Sequence, residues 1–504
     1  MEMIVLEQNA PYIPHPLALY AALQGPNTLL LESAQVDNKA HTKSIILNQA
    51  CLKLVCQHSS VKIEALNANG QALLHKLANF VGVSPTDKSL SLHYPKNTQL
   101  QDEFLKLQMP SPLDALRAVF ACVEQCPKNP YGLFCAGFFG FELIGAFEDL
   151  PILSVQDNSA PDFVFLVAQT LILIDHQKQS TQIFGACFTP QCQTQIQEQI
   201  AQLAKLVSTT QGDFNPQTYP QESVLSTNCS DEVFGCMVSK LQEEIRAGEI
   251  FQAVPSRSFY LSCKDPLSAY FYLKAQNPSP YMFYLQMEDF TLFGASPESA
   301  LKYDASTNLV QIYPIAGTRA RGKNPDGTIN HDLDNRLELD LQSDAKERAE
   351  HIMLVDLARN DIARVAKPHT RLVSKLLKVE KYAHVMHLTS AVQGELKEGL
   401  DALHAYRSFM NAGTLSGAPK IAALKLIAQL EGKRRGSYGG SIGYLCADGS
   451  MDTCIIIRSA FVQDGRAIIQ TGAGIVLDSL VEAEIAETKA KAQSVISAIL
   501  KTHA

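Results

Sequence analysis

Two pairs of glutamates have the residue type and spacing to support chemistry. Glu347 and Glu350 form one pair, and Glu484 and Glu487 form the other, each with i, i+3 spacing in a stretch that reads as helix. Residues at that spacing lie on one helical face. Two helices that directed paired carboxylates into one cleft would create an all-oxygen site for a hard divalent cation such as Mg²⁺. The commoner alternative for acidic residues is a solvated helix face.

Both helices have recognisable sequence signals. The first is predicted from Asp344 to Ala358, and its apolar residues are expected to face a core. Those residues are Ala349, Ile352, Met353 and Leu357. The second helix follows an S-x-x-E capping box formed by Ser479 and Glu482. Its glutamates fall in the first turns, where the positive end of the helix dipole favours carboxylates.

The composition is that of an ordinary globular protein and restricts the possible partners. The chain has 504 residues, 46% of them hydrophobic, which suits two or three domains or one large composite domain. Its net charge of -8 disfavours nucleic acid and anionic membranes, whose binders are basic. The twelve cysteines are dispersed without a C-x-x-C motif, and no secretory signal is recognised. We therefore expect a cytoplasmic protein with reduced thiols that binds neither nucleic acid nor a membrane.

Three parts can be distinguished along the chain. Residues 1–207 alternate strand-like runs with amphipathic helices, and the longest apolar run, Phe163 to Ile174, predicts a buried strand. Residues 208–230 are rich in Ser, Thr, Gln, Asn and Pro without apolar periodicity, which is typical of a linker. Residues 231–504 hold most of the short Gly-rich and charged blocks, and such blocks usually form loops that carry function.

Several residues in this C-terminal part could bind an anionic substrate. Arg458 follows an apolar strand predicted at 454–457, and a buried guanidinium there needs an anionic partner. The G-A-G block at 472–474 follows another predicted strand, and its glycines let backbone N–H groups approach an anion closely. Tyr438 can donate a phenolic hydrogen bond, and Lys420 can hold a second carboxylate.

Two further side chains are candidates for proton transfer. Glu298 lies at a predicted strand end, where burial would raise its pKa and make it a general acid. His387 is a candidate proton shuttle or electrostatic partner, although a single histidine is more often structural. Neither a Ser-His-Asp nor a Cys-His arrangement with a local signature occurs, so covalent hydrolytic chemistry is not expected.

Taken together, the ordered blocks resemble those of the chorismate-utilising enzymes and, within that family, those of the anthranilate synthase large subunits. The resemblance covers nearly the whole chain. It is carried by PIAGTRARG (314–322), AEHIMLVDLARND (349–361), GTLSGAPK (413–420), RGSYGG (435–440), DTCIIIRSA (452–460) and QTGAGIVLDS (470–479). It implies an α+β fold in which two large packed β-sheets are flanked by helices, with the active site in a central cleft.

The resemblance also implies roles for individual residues. Glu350 and Glu487 match the family's Mg²⁺ ligands, and Glu347 and Glu484 would hold metal-bound water behind them. Glu298 matches the general acid that protonates the departing 4-hydroxyl group of chorismate. The residues matching or expected at the substrate are His387 and Thr414 along the ring, and Thr318, Lys420, Tyr438, Arg458, Gly472, Ala473 and Gly474 for binding.

Two positions separate the branches of the family. In isochorismate and salicylate synthases, a lysine that activates water occupies the position of Gln252, and an amide cannot act as that base. In aminodeoxychorismate synthases, a lysine nucleophile typically occupies the position of Ala316. Both absences favour attack by ammonia, giving anthranilate and pyruvate in the first step of tryptophan biosynthesis. The alternatives are an aminodeoxychorismate synthase component I, an isochorismate synthase, or a non-catalytic tryptophan-sensing subunit, which the retained acids disfavour.

The resemblance further implies regulation and a partner. The LLLES block at 29–33 and the NPSPYMF block at 277–283 resemble the family's feedback pocket for L-tryptophan, to which residues 1–207 would contribute. The expected pocket residues are Glu32, Ser33, Pro280, Tyr281 and Met282. Ordinary packing of a core strand is the alternative for LLLES. Because no nucleophilic Cys in a Gly-flanked elbow is found, ammonia is expected from solution, or from glutamine through a glutamine amidotransferase subunit (component II), often within a heterotetramer.

Overall fold

The computed structural model describes residues 3–34, 41–96, 102–123, 129–155, 157–210, 212–220, 224–382 and 385–503. Residue 211 and residues 221–223 of the predicted linker lie outside these ranges. The helices are α1 Pro16–Leu23, α2 Ala68–Val81, α3 Glu103–Gln108, α4 Leu113–Ala121, α5 Gln193–Thr209, α6 Asp231–Ala247, α7 Pro266–Gln276, α8 His331–Ser343, α9 Ala345–Val365, α10 Ala402–Phe409, α11 Lys420–Glu431 and α12 Val481–Leu500. The strands are β1 Ile4–Ala10, β2 Thr28–Ala34, β3 His41–Gln57, β4 Ser60–Ala65, β5 Ser89–His93, β6 Phe134–Phe139, β7 Phe163–Asp175, β8 Ser180–Cys187, β9 Ser226–Thr227, β10 Gln252–Ala253, β11 Ser256–Ser262, β12 Tyr281–Gln286, β13 Thr291–Ser296, β14 Ser299–Asp304, β15 Leu309–Ile312, β16 Ile315–Ala320, β17 Leu372–Lys381, β18 Val385–Glu395, β19 Gly417–Ala418, β20 Ser441–Cys446, β21 Met451–Ile455, β22 Ser459–Gln463 and β23 Arg466–Gly472.

Two long antiparallel strands, β3 and β7, each belong to two sheets. Their register shifts repeatedly between Leu47 and Leu52, and bulges of this kind bend a strand pair. On one side of the bend, sheet I runs β5–β4–β3–β7–β6–β20–β21–β14–β15–β18, with β16 and β17 also on β18. On the other side, sheet II runs β1–β8–β7–β3–β2–β12–β13–β22–β23–β11–β9.

A core made almost entirely of strand residues lies between the two sheets. Phe138 of sheet I meets Phe290 edge to face, with ring centroids 6.1 Å apart, and Phe290 stacks on Phe461 of sheet II at 4.9 Å. Helices α2, α4, α9 and α10 share a second core with strands, and helices α1, α5, α7 and α12 share a third. The α+β prediction of two packed sheets flanked by helices is therefore confirmed.

The two predicted parts of the chain are interleaved in this fold. Strand β6 of the first part pairs with β20 of the second in sheet I, and β2 pairs with β12 in sheet II. The predicted linker supplies β9, which pairs with β11. The chain is thus one composite unit, because both sheets need strands from both parts. Among the described residues, no helix combines the length and apolar character needed to cross a bilayer.

Candidate active site

The candidate site lies where the chain crosses from one sheet to the other. The crossover from β13 to β14 contains Glu298, and the crossover from β21 to β22 contains Arg458. Backbone hydrogen bonds join the two crossovers: Ile455 N–H donates to the Glu298 carbonyl at 3.0 Å, and Ala295 N–H donates to the Arg458 carbonyl at 3.1 Å. The contacts that build the sheets therefore also hold an acid and a cation in neighbouring segments.

Arg458 offers a positive charge to the cleft. Its backbone is left-handed, with φ of 51°, a conformation that non-glycine residues adopt rarely and mostly for a functional reason. Its guanidinium makes no hydrogen bond or ion pair with any other described residue, although Tyr438, Glu487 and Glu298 lie close enough to raise its pKa against the lowering effect of burial. Arg458 is half-buried, and a partly desolvated arginine without a partner is costly. It therefore fits the predicted role of binding a substrate carboxylate.

Glu298 is set up to carry a proton. Its side chain is buried, and its Oε1 accepts a hydrogen bond from the Thr414 hydroxyl at 3.1 Å. Burial raises the pKa of Glu298 to about 8, even though Thr414, Lys491 and Arg458 favour the ionised form. The carboxyl group is consequently mostly protonated at neutral pH, which is the state that a general acid requires.

His387 is held as a neutral imidazole. It lies on β18 opposite Thr318 of β16, beside a register shift at Gly317, whose φ is 74°. Its Nδ1 is 3.0 Å from the Gly317 carbonyl and 3.0 Å from the Thr318 hydroxyl. Because a carbonyl can only accept, Nδ1 carries the hydrogen and Nε2 keeps its lone pair. Burial, with Arg458 and Lys491 nearby, lowers the pKa of His387 to about 4.

The two glutamate pairs lie close enough to influence one another electrostatically. Burial, together with the charges of Glu347, Glu484 and Glu487, raises the pKa of Glu350 to about 7 against the lowering effect of Lys346. Such mutual repulsion places the acids of α12 near those of α9. The predicted alternative of two solvated faces is therefore wrong for Glu350 and for Glu484, which is buried.

The inward face of α9 differs from the predicted one. Of the residues predicted to face the core, Ala349 and Ile352 are exposed, and the buried residues are instead Leu354, Val355 and Ala358. Asp344 caps the helix by accepting a hydrogen bond from Glu347 N–H at 3.0 Å. The helix lies on β18 and α10 by the face that carries the glutamates.

The carboxylates suit a divalent cation that keeps open coordination positions. Within the described residues, no group of three or more His, Cys, Asp and Glu side chains is arranged to hold a metal ion by itself. Mg²⁺ is commonly bound through one or two carboxylates, with water and substrate as its other ligands. A cation between Glu350 and Glu487 would also relieve the repulsion that raises the pKa of Glu350. The donor set therefore fits the predicted ion.

Three positively charged side chains balance these acids. Lys491 Nζ lies 2.5 Å from Glu487 Oε1 and donates to the Gly472 carbonyl at 3.0 Å. Lys346 lies 3.8 Å from Glu350, and Arg319 donates to Glu347 at 3.0 Å. These lysines and this arginine were absent from the predicted site. The spacing of Lys491, four residues after Glu487 and seven after Glu484, is the sequence signal that could have found it.

The glycine block forms a tight wall beside Tyr438. A Cβ on Gly472 would lie 2.6 Å from the Pro255 carbonyl and 3.1 Å from the Tyr438 hydroxyl, and a Cβ on Gly474 would lie 2.7 Å from Gln252 Nε2. Burial raises the pKa of Tyr438 to about 12, so its hydroxyl keeps its hydrogen. Ala473, between the glycines, is fully buried. Only residues without a larger side chain allow this close approach at 472 and 474.

A family model described as chorismate binding enzyme matches residues 83–497. The chain belongs to the chorismate-binding enzyme family. Anthranilate synthase component 1 of Escherichia coli (strain K12) is 48% identical over 513 residues, covering 100% of this chain and 98% of that protein. The component 1 protein of Vibrio cholerae serotype O1 is 48% identical over 507 residues, covering 99% and 97%.

Solved structures of chorismate-binding enzymes share the fold. Anthranilate synthase component I from Streptococcus pneumoniae TIGR4 has a TM-score of 0.71 at 28% identity and covers 97% of this chain and 100% of its own. The menaquinone-specific isochorismate synthase from Escherichia coli has a TM-score of 0.70, covering 99% and 94%. At 16% identity, that second likeness concerns the fold alone.

Lys420 was predicted to bind the substrate, but the structure gives its ammonium group internal partners instead. Its ammonium group lies 3.2 Å from each Asp361 oxygen and donates to the Phe409 carbonyl at 2.8 Å. An ammonium has three hydrogens, and these internal partners use them. Lys420 therefore ties α11 to α9 and α10 and is not free to bind a substrate carboxylate.

The predicted capping box of α12 does not form. The helix begins at Val481, and Leu480 occupies the capping position without a side-chain hydrogen bond. The Ser479 hydroxyl instead accepts from Val476 N–H at 3.1 Å and hydrogen bonds to the Glu484 carboxylate. Ser479 thus orients one of the acids of the candidate metal site.

The residues predicted to bind L-tryptophan lie at or beside the ends of β2 and β12. Glu32 pairs with Met282 across these strands, and Ser33 hydrogen bonds to the Thr42 hydroxyl. Pro280 precedes β12, and the Tyr281 hydroxyl donates to Asp452 at 3.1 Å. The carboxylate of Glu32 already has hydrogen-bond partners, however. It is buried and accepts from the Tyr270 hydroxyl and from Lys274 Nζ, both at 2.6 Å, so a ligand amino group would have to share it with Lys274.

Proposed function

We propose that this chain is the large, chorismate-binding component of an anthranilate synthase, converting chorismate and ammonia to anthranilate, pyruvate and water. Support comes from the full-length relatives named component 1. The observation that carries the proposal is that the site combines a protonated Glu298 with an unpaired Arg458 but has no amine at Gln252 or Ala316. Without a lysine to activate water or to attack, the nucleophile must enter from outside the chain.

The chain's own groups would orient chorismate through its carboxylates. The Arg458 guanidinium would bind one carboxylate, assisted by the Tyr438 hydroxyl and by backbone N–H groups of the glycine block at 472–474. Thr318 lies beside His387 and would contact the ring. Burial of these donors strengthens each hydrogen bond because water does not compete for the anion. Fixed orientation of the ring is the first contribution to rate.

The departing hydroxyl group at C4 of the ring would take its proton from Glu298. Ammonia adds at C2 while the double bonds shift and the hydroxyl leaves as water. The Thr414 hydrogen bond holds the carboxyl group in place. After the step Glu298 is ionised, and the nearby positive charges of Arg458 and Lys491 stabilise it. Its next proton comes from solvent.

The second step expels pyruvate and makes the ring aromatic. A proton leaves C2 as the enolpyruvyl C–O bond breaks, and the enolpyruvate that departs is protonated to pyruvate. The neutral Nε2 of His387 is available to accept the C2 proton because Nδ1 carries the ring hydrogen. Its low pKa makes it a weak base, yet aromatisation supplies a large driving force, so a weak base suffices.

Glu350 and Glu487 would hold Mg²⁺ in this reaction, with Glu347 and Glu484 behind them. The ion would neutralise a carboxylate of chorismate and help to orient it. The protein's part is to balance these two acids with positively charged side chains until the cation arrives. Lys346 and Lys491 do this by pairing with Glu350 and Glu487.

Feedback inhibition by L-tryptophan would act on the same crossovers that hold the catalytic groups. Tyr281 pairs with Ser296, two residues before Glu298, and its hydroxyl bonds to Asp452 on the strand that leads to Arg458. A ligand between Ser33 and Met282 would therefore bear on both crossovers. Binding of inhibitor and of chorismate would be reciprocally coupled.

Ammonia would be supplied in the cell by a separate glutamine amidotransferase component, consistent with relatives named component 1. We further propose that the two components assemble into a heterotetramer. The test of function is incubation of the purified chain with chorismate, Mg²⁺ and ammonium salt at pH 8 to 9, followed by identification of the product. Blue-fluorescent anthranilate is expected. Isochorismate or aminodeoxychorismate as the sole product would refute the proposal and support a sister enzyme.

A further inference from the structure

Three large apolar side chains are exposed at the outer rim of the candidate site. Phe251 is 69% exposed, Leu477 is 48% exposed and Leu480 is 69% exposed. They belong to two short segments, the turn before β10 and the loop before α12. Scattered single apolar residues on a surface are ordinary, but a group of them on one rim is typical of an interaction site. We call these three residues the rim patch.

The rim patch lies directly behind the wall of the active site. Ala253 and Ile475 form an antiparallel bridge with hydrogen bonds of 3.3 and 2.8 Å. Phe251 is two residues before Ala253, and Leu477 is two residues after Ile475. Because the bridge is antiparallel, both residues lie at the same end of it. Gln252, between Phe251 and Ala253, is buried against Gly474 of the site. The rim patch and the site are thus two sides of the same pair of segments.

Gln252 also marks the side of the site that receives the nucleophile. Its Oε1 is buried without a hydrogen-bond partner among the described residues, although its Nε2 lies toward Gly474. A buried acceptor without a partner destabilises the protein until a donor binds to it. Ammonia, a hydrogen-bond donor, would satisfy it. Gln252 directly follows Phe251 of the rim patch in the chain.

The segments of the rim patch are held rigidly. Gln242 of α6 is buried, and its amide donates to the Leu477 carbonyl at 3.0 Å and to the Ser479 carbonyl at 2.8 Å. Phe251 N–H donates to the Ala418 carbonyl at 2.7 Å. An apolar surface that is already ordered loses little conformational entropy when a partner covers it.

A shallow groove between α6 and α12 continues the rim patch. Gly235, Val481 and Ile485 form its floor, and the Val481 side chain lies 3.0 Å from the position of a Cβ on Gly235. The exposed charged residues around patch and groove are mostly acidic. They are Glu232, Glu243, Glu249, Asp478 and Glu482, against Lys240, Arg246 and Lys489, which pairs with Asp231. The complementary surface is therefore apolar at its centre and basic at its edge.

We propose that the rim patch and the groove between α6 and α12 are the docking surface for the glutamine amidotransferase component. The inference rests on the proposed function, because that reaction needs ammonia delivered without loss to water. Docking on this surface seals the outer side of the Gln252 wall. Burial of these three large apolar side chains by a partner is favourable, and a few such residues can anchor an interface.

A footprinting experiment tests the location. Cys236 lies in the groove and is exposed, whereas the other described cysteines are buried or half-buried, as Cys122 is. The chain is labelled with a maleimide, alone and with its cognate co-expressed amidotransferase component, and the modified peptides are identified by mass spectrometry. We expect the complex to slow labelling of Cys236 about 10-fold or more and to leave Cys122 unchanged. An unchanged rate at Cys236 in a complex verified by size-exclusion chromatography would overturn the proposal.

Substitution tests the function of the surface. Phe251→Asp and Leu480→Asp are compared with Phe80→Asp, a control on α2 whose parent side chain is 57% exposed. We expect each rim substitution to lower the glutamine-dependent rate about 10-fold or more while the ammonia-dependent rate stays within about twofold, and the control to change neither. Equal glutamine-dependent rates in Leu480→Asp and wild type would overturn the proposal. A change in self-association of the chain without a change in glutamine use would instead assign the surface to a second copy and overturn it too.

Failure of the proposed function gives a different pattern. In that case the wild type makes no anthranilate from ammonium salt, and the glutamine- and ammonia-dependent rates cannot be used to test the docking surface. Binding of the amidotransferase component, measured by size-exclusion chromatography, then decides the docking proposal by itself. Weaker binding in Leu480→Asp than in Phe80→Asp supports it, and equal binding overturns it.

Discussion

Replacement of Glu298 by glutamine is predicted to destroy activity and to stabilise the fold. Glutamine keeps the size of the side chain and can still accept the Thr414 hydrogen bond, but it has no proton to give. Loss of a general acid typically costs about 10²- to 10⁴-fold in rate. We therefore expect kcat to fall by that factor while KM for chorismate changes little.

The stabilisation follows from the raised pKa. Between its ordinary pKa of 4.5 and its folded value of about 8, Glu298 holds a proton in the folded protein that the unfolded chain releases. Stability therefore falls as pH rises through that window. At pH 7 the accumulated cost is about 3 kcal/mol, from about 1.36 kcal/mol for each pH unit. Glutamine removes this cost, which for a chain of 504 residues raises Tm by about 3 °C.

The assay combines steady-state kinetics with thermal unfolding at pH 5 and pH 7. The difference in Tm between variant and wild type should shrink at pH 5, where less of the cost has accumulated. In the wild type, kcat should fall as pH rises through about 8, because the acid loses its proton. Thr414→Val serves as the control and should move that fall to higher pH, since Thr414 favours the ionised form. An active Glu298→Gln enzyme, or one destabilised equally at both pH values, would refute the reasoning.

Three further predictions concern the metal, the substrate and the inhibitor. Glu350→Ala and Glu487→Ala should each abolish Mg²⁺-dependent turnover while the circular dichroism spectrum stays native; normal turnover in either variant would contradict the metal assignment. Arg458→Gln should lower kcat/KM about 10- to 100-fold, the value of a hydrogen bond to a charged group, and raise Tm of the free protein by removing an unpaired charge. A kcat/KM equal to wild type would exclude Arg458 from the substrate. Ser33→Leu should keep turnover nearly intact and lose tryptophan inhibition, measured as rate against tryptophan concentration; unchanged inhibition counts against the pocket.

Much of the site could be predicted because it depends on local sequence. Glu298, Arg458 and the glycine block each lie at the end of an apolar strand, and such ends are visible in one sequence. The spacing within each glutamate pair likewise fixed which acids share a helical face. That the two pairs lie near one another was an expectation that only the three-dimensional structure could test.

The failures share one physical cause, which is that a tertiary partner is invisible in a local pattern. Lys420 looked available for substrate because nothing near it in sequence reveals that Asp361 receives its charge. Glu32 looked available for the amino group of a ligand, although Lys274, which is far from it in the sequence, already donates a hydrogen bond to it. Ile352 was assigned to the core on periodicity, yet α9 turns its carboxylate face inward. In each case the competing interaction joins residues far apart in the chain.

The bent strand pair could not be predicted either. The sequence of β7 reads as one buried strand, and it is one, with nearly every residue buried. Its membership of two sheets depends on the register shifts opposite Leu47 to Leu52 in β3. Those shifts create the two layers whose crossovers carry Glu298 and Arg458. The positions of these two candidate residues therefore follow from a long-range pairing.

The most direct test of the central claim is a mass balance with heavy-nitrogen ammonium. The purified chain is supplied with chorismate, Mg²⁺ and labelled ammonium in the absence of glutamine, and the products are quantified by mass spectrometry. The account predicts anthranilate that carries the heavy nitrogen, with one pyruvate formed for each anthranilate. Consumption of chorismate without incorporation of nitrogen, or incorporation without release of pyruvate, would contradict it.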